Sequence, residues 1–325
     1  MTDLHLCLTH SPRPLDFSRS SRSFLNRRYS SPDRLNNLPD FESLSSKDAP
    51  TWHNDVTVWQ LDTEKLSKPT LLHYLKKDYT ANHAIILNKS LLICSSTFLE
   101  IHRLDSNSVK RISSSWFAGG HTVYPDLINE QLCVSCSASD AVLLFDLSDK
   151  SFTKAFRMPK ESYGHNYDLK LSDDVRKRYI NNDSQLTHLN SCYPCERGYL
   201  VTAFIQGAVG LFDFNGNYKE LTSGFRGCHG ARTRPGLNGF YFTDSAMGCL
   251  YEMDWSGGIV RKFCINSSWL HDSQWVANNS YLFSLSDMNE LQLWDVQENH
   301  MIWTINLSIY GETSLLLSTS PKINL

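Results

Sequence analysis

The stretch HGARTRPGLNGFYFTDSAMGCLYEMD (229–254) opens on a histidine, passes through two short β-rich runs and ends on an aspartate 25 residues later. The same frame recurs along the chain. His83, His121, His188, His229 and His271 are each followed by strand-like runs, the third closed by Asp105, Asp146, Asp213, Asp254 and Asp295, at offsets of 22, 25, 25, 25 and 24. Successive histidines lie 38, 67, 41 and 42 residues apart, and one further period of 41 lands on Glu312 in YGETSLLLST, where a sixth unit begins.

Working outward, runs such as VTVWQLD (56–62), SLLICSS (90–96), AVLLFDL (141–147), YLVTAFI (199–205) and LQLWDV (291–296) are β-branched or aromatic and bounded by Gly, Asn, Asp or Ser. Such runs are strands. Units of about 41 residues with four strands each describe an all-β six-bladed β-propeller. The last unit stops after a strand or two, while VTVWQLD and TLLHYL (70–75) look like the third and fourth strands of a unit, so the termini complete one blade together. Ring closure also removes exposed sheet edges. A seventh blade would require a degenerate unit within 148–187.

The propeller is assigned to residues 51–325 and a disordered or draped arm to residues 1–50, whose Ser, Arg, Asn and Pro content lacks any strand or helix period. The 67-residue gap leaves about 26 extra residues in an insertion at about 151–187, where SDDVRKRYI reads as a short capped helix. A protein partner would bind through the arm or the insertion. A net charge of −3 leaves the main body without a footprint for nucleic acid. No run reaches the roughly 18 apolar residues of a membrane helix. The N-terminal residues lack a secretory pattern, and nine cysteines fit free thiols in a reducing, cytoplasmic setting. The CxxC spacings at Cys133–Cys136 and Cys192–Cys195 suit zinc, but the first lies in a strand-like run, where residues three apart face opposite sides.

In a propeller the first strand of each blade lines the channel, so the repeated histidines and Glu312 are expected to form a ring near one mouth. The residues that follow them, in HTVYPD (121–126), HLNS (188–191), HGAR (229–232) and HDSQ (271–274), are more polar than packing requires. HAII (83–86) lacks such followers. Imidazoles converging on an axis suit a divalent transition metal, whether iron, copper, zinc or manganese. The expected ligands are His121, His188, His229 and His271, with Arg232 for a small polar or anionic ligand, Asp272 orienting its neighbour and Asn190 beside them. That describes a metal-dependent enzyme of small-molecule metabolism, its reaction open between oxygenase, lyase and hydrolase. No GxSxG, P-loop, HExxH or GxGxxG is present.

Two resemblances bear on this. GGH (119–121) ahead of a strand, with SDMNELQLWD (286–295), resembles the WD-repeat pattern, in which a His and a turn Asp form a buried network; Asp140 and Asp287 occupy the turn position. That resemblance implies structural histidines and a non-catalytic interaction scaffold. It departs at Gln206-Gly207, where the Asp is missing. THLNS (187–191), LFDFNG (211–216), HGAR and LHDSQWV (270–276) are similar to a poorly characterised group of bacterial six-bladed propellers with repeated His-Leu-Asn, His-Ser/Gly-x-Arg and His-Asp motifs. It covers 185–300 and implies the fold more than a reaction.

Overall fold

A computed structural model describes residues 3–11, 54–106, 108–159, 174, 187–311 and 313–321. Nearly all of them are β, in six four-stranded sheets. Blade I joins β1 (Asp3–Ser11), β2 (Asp55–Asp62) and β3 (Thr70–Leu75) to β24 (Thr313–Pro321), in the order β24-β1-β2-β3. Blade II holds β4 (Ala81–Leu87), β5 (Ser90–Ser95), β6 (Leu99–Arg103) and β7 (Val109–Ile112), and blade III holds β8 (Gly120–Asp126), β9 (Gln131–Cys136), β10 (Ala141–Asp146) and β11 (Phe152–Arg157). Blade IV contains β12 (Leu189–Cys195), β13 (Gly198–Ala203), β14 (Ala208–Phe212) and β15 (Tyr218–Ser223). Blade V contains β16 (Cys228–Arg232), β17 (Gly239–Asp244), β18 (Cys249–Asp254) and β19 (Ile259–Cys264), and blade VI contains β20 (Leu270–Ala277), β21 (Ser280–Leu285), β22 (Glu290–Asp295) and β23 (His300–Asn306). All neighbouring strands within a blade run antiparallel, and β4, β8, β12, β16, β20 and β24 pack in turn around the axis.

Burial grades outward from that axis. β9, β10, β13 and β17 are buried along nearly their whole length, because both faces of a middle strand lie against neighbouring blades. The outer strands β3, β7 and β19 are largely exposed. Turn chemistry fixes the pairing. Asn88 and Lys89 both adopt positive φ (46° and 57°) between β4 and β5, which a two-residue hairpin loop of matching twist requires.

The recurring aspartates cap the turns after the third strands. Asp62, Asp146, Asp213, Asp254 and Asp295 each accept two backbone N–H bonds through Oδ1, as in Asp254 from Ser256 (2.8 Å) and Gly258 (2.9 Å). Asp105 pairs with Arg103 instead. At Gln206-Gly207, ahead of the third strand, the absence of the WD-like turn Asp has a steric cause. Gly207 sits at φ +60°, and a Cβ there would lie 1.8 Å from the Phe225 carbonyl oxygen.

Three expectations need correction. Residues 3–11, assigned above to the arm, form β1, the second strand of the closing blade, between β24 and β2. Residues 152–157, assigned to the insertion, form β11, the fourth strand of blade III. The cysteines are not all free: Cys249 and Cys264 form a disulfide between paired positions of β18 and β19, leaving seven free. The rest of the arm, the helix read in SDDVRKRYI apart from Asp174, and Glu312 lie outside the described residues. Among the described residues no helix is long and apolar enough to cross a membrane.

Candidate functional site

Every innermost strand carries an irregularity in its pairing near its start. The register slips between Ala81 and His83, Gly120 and Thr122, Leu189 and Ser191, His229 and Arg232, and Leu270 and Asp272. It slips in the closing blade between Leu8 and His10. An extra residue in one strand re-aims the side chains around it. Pairing with the second strands then defines the corresponding positions. Ala81, Gly120, Leu189, Cys228 and Leu270 each pair with the last residue of the adjacent strand, so the next residues, Asn82, His121, Asn190, His229 and His271, correspond. His83 is one residue late and His188 two early. The expected ring of histidines is thus three histidines and two asparagines.

His188 nevertheless joins the group, held at φ +48° ahead of β12. Ring centroids lie 5.3 Å apart for His121 and His188, 6.5 Å for His121 and His229, and 4.9 Å for His229 and His271. Phe204 packs within 5.3 Å of His188 and 5.2 Å of His229, and Trp269 lies 6.5 Å from His229. Four blades therefore bring imidazoles together at one end of the channel. The antiparallel order places the turns between second and third strands at this end and the Asp-capped turns at the opposite rim.

Serines from those nearby turns hold two of the rings. His229 Nδ1 bonds Ser245 Oγ (2.7 Å), and His271 Nδ1 bonds Ser286 Oγ (2.8 Å). Their Nε2 atoms make no hydrogen bond within the described residues, and the Nδ1 of His121 is buried without a partner. Ser137 holds the corresponding turn position in blade III but donates to the Gly119 carbonyl. A serine 15 or 16 residues after a histidine is the sequence signal for this arrangement. Asn190 accepts from Thr202 Oγ1 through Oδ1, and its Nδ2 is buried without a partner. Among the described residues no group of three or more His, Cys, Asp or Glu is arranged to hold a metal ion.

Below this level a second layer fills the axis. Arg232 is 1% and Asp272 0% exposed, and their side chains meet in a two-pronged ion pair, Nη1 to Oδ1 and Nη2 to Oδ2, both 2.8 Å. Arg232 also donates to Tyr124 Oη from Nε (3.0 Å) and Nη2 (2.8 Å), and to the carbonyls of Ser273 (2.6 Å), Gly230 (3.3 Å) and Leu317 (3.2 Å). His83 Nδ1 accepts from the Val123 N–H (3.3 Å), leaving Nε2 as the donor to Tyr124 Oη at 3.2 Å. This hub ties blades I, II, III, V and VI across the channel. The guanidinium expected to meet an anionic ligand is instead committed to protein acceptors, and Asp272 orients it. The Asp140 carboxylate accepts from Thr187 and Leu189 at the start of blade IV, while Asp287 accepts from Ser267 and Ser268.

Burial keeps these imidazoles neutral. It lowers His83 and His10 from the ordinary 6.5 to about 3 and His271 to about 4, and it holds His121 and His229 well below 6.5, with neighbouring imidazoles adding to the effect. Burial also raises Asp140 and Asp244 from 3.8 to about 6. The two classes act oppositely. Unfolding lets the histidines take up protons below pH 6.5, so their contribution is complete above that value and is lost as pH falls toward 4. The two carboxyls hold protons in the folded state between 6 and 3.8, so their contribution grows over the same fall in pH. Five histidines outweigh two aspartates. The midpoint of urea unfolding is expected to be lower at pH 5.5 than at pH 7.5, with net proton uptake on unfolding; an equal or higher midpoint would contradict the burial of these rings.

No protein-family model matches the chain, and no curated protein sequence matches it. Its fold is similar to that in a nidogen/laminin complex, at 7% identity over 97% of this chain and 98% of that one, with a TM-score of 0.63. Virginiamycin B lyase from Staphylococcus aureus is similar over 79% of this chain and 81% of its own, at 10% identity and TM-score 0.52. A histidine-to-alanine variant of that lyase, solved with quinupristin, is described as catalytically inactive. The WD40 propeller domain of Doa1 is similar at 10% identity and TM-score 0.50, over 69% of this chain and 67% of that one. These likenesses are of fold: they include an enzyme and a WD40 domain.

Proposed function

We propose that the histidine-lined mouth binds a small polar molecule and that its neutral imidazoles accept protons from it, making the protein an enzyme of small-molecule metabolism. One observation carries this reading: His229 and His271, from adjacent blades and 4.9 Å apart, each have Nδ1 anchored on a serine while Nε2 has no hydrogen-bond partner among the described residues. An anchored, neutral imidazole is oriented as a general base requires. Phe204 and Trp269 supply apolar walls, as ligand sites commonly do. The dependence of a propeller lyase on a histidine supports the reading by analogy of fold. The expected metal enters as an arm of the test, because the donor set lacks a built ligand geometry. The Asp140 and Asp287 clamps favour the second reading, a WD-like scaffold.

A thermal-shift screen of polar and anionic metabolites, with zinc, iron, copper and manganese as separate additions, tests this on wild-type, His229→Gln and His271→Gln proteins. The expected result is a metabolite that stabilises the wild type but neither variant, each variant losing no more than about 1–2 kcal/mol from its serine hydrogen bond. Stabilisation by a metal alone that vanishes in both variants would make the imidazoles ligands instead. Variants that lose far more stability, with no compound acting on the wild type, would leave the histidines structural.

A further inference from the structure

The Cys249–Cys264 disulfide is the only one among the described residues. Its place in blade V relates it to the mouth. Cys249 begins β18, one residue past Gly248 and four past Ser245, the serine that anchors His229. Cys264 ends β19, and the chain then runs through Ser267 and Trp269 to His271 on the axis of blade VI. The disulfide therefore links the two segments that deliver His229's anchor and the Trp269–His271 pair. Few other bonds join them there: the Ile265 N–H donates to the Gly248 carbonyl (2.9 Å), and β19 is an outer strand paired on one side only. Cys249 is 2% exposed, but Cys264 is exposed and open to a soluble thiol.

We infer that Cys249–Cys264 is a thiol–disulfide exchange site whose state sets the order of the blade V edge of the mouth, and that its substrate is a dithiol reductant. In the forward step a reductant thiolate attacks Cys264 Sγ, forming a mixed disulfide and expelling the Cys249 thiolate, which takes a proton. The second thiol of the reductant then attacks its own sulfur in the mixed disulfide and releases Cys264, which also ends protonated. One S–S bond is broken in the protein and one is formed in the reductant. Two electrons and two protons reach the cysteine pair. With the link open, β18 and β19 are held by their ladder and the Ile265–Gly248 bond, and the turn carrying Ser245 gains freedom. The functional meaning of this switch rests on the reading of the mouth as a binding site, but its chemistry and its effect on order are read without a ligand.

The test uses the full chain purified without reductant, with dithiothreitol as the probe. Alkylation in denaturant before reduction is expected to label seven cysteines, and after mild native reduction all nine, with Cys249 and Cys264 the pair gained. Hydrogen exchange of the 245–249 and 264–271 amides is expected to accelerate about tenfold on reduction, and equally in Cys264→Ser without reductant, while β8 to β10 stay unchanged. Nine alkylated cysteines before reduction would overturn the proposal, as would exchange that is unaltered or altered equally in every blade. Either failure leaves the proposed function standing, because the ligand screen is independent of the thiol state. A Cys264→Ser chain that fails to fold leaves the reduced wild type to decide.

Discussion

Deleting residues 1–11 is expected to abolish cooperative folding of the propeller. β1 is the second strand of blade I and pairs on both sides, with β2 from Asp3 to His10 and with β24 from Leu4 to Ser11. Leu6 and Leu8 are fully buried and Cys7 is 1% exposed. Each such side chain is worth roughly 1.5–3 kcal/mol of burial, and the deletion also strands two ladders of backbone hydrogen bonds. Set against a typical total stability of about 5–15 kcal/mol, the combined loss leaves little or nothing. Urea unfolding followed by tryptophan fluorescence should lose its sigmoidal transition, and a synthetic peptide of residues 1–12 added in trans should restore part of it. A truncated chain with a cooperative transition near the wild-type midpoint would show that the ring does not depend on this strand.

Arg232→Met carries the second large effect. The substitution removes the partner of a carboxylate that is 0% exposed and leaves Asp272 with only backbone donors, the amides of Ser273 (2.9 Å) and Leu317 (3.2 Å). Breaking a buried pair from one side typically costs about 3–5 kcal/mol, whereas replacing both members by apolar groups is often close to neutral. The Arg232→Met/Asp272→Leu double variant is therefore expected to regain most of what the single variant loses. Urea midpoints of the two singles and the double read this directly. A single variant within about 1 kcal/mol of the wild type would show that the carboxylate finds water or another donor.

Much of this architecture was legible in the residues. The nearly constant spacing from histidine to aspartate marked the blades because four of these five Asp residues repeat one local task, taking up the backbone amides of the turn that follows. Three things were hidden for definite physical reasons. LHLCLTH (4–10) is a strand flanked by polar sequence, and only pairing with residues some 50 and 300 positions away identifies it. A period of about 41 does not resolve displacements of one or two residues within a strand, so Asn82 and Asn190 stand where His83 and His188 were expected. Arg232 reads as a free cation in HGAR, yet its carboxylate lies 40 residues on in the next blade. The Cys249–Cys264 pair likewise becomes visible only once β18 and β19 are set side by side.

The origin of blade I has a consequence for biosynthesis. Thr9 Oγ1 meets the Leu316 carbonyl across 307 residues, so β1 waits until β24 has been translated before it has its second neighbour. At ordinary elongation rates that interval is roughly 15–60 s. Throughout it, a nascent LHLCL segment is left with an open flank, and blades II to VI are translated while blade I still lacks β24. Chaperone engagement should therefore concentrate on the LHLCL segment and end once β24 is available to pair with it.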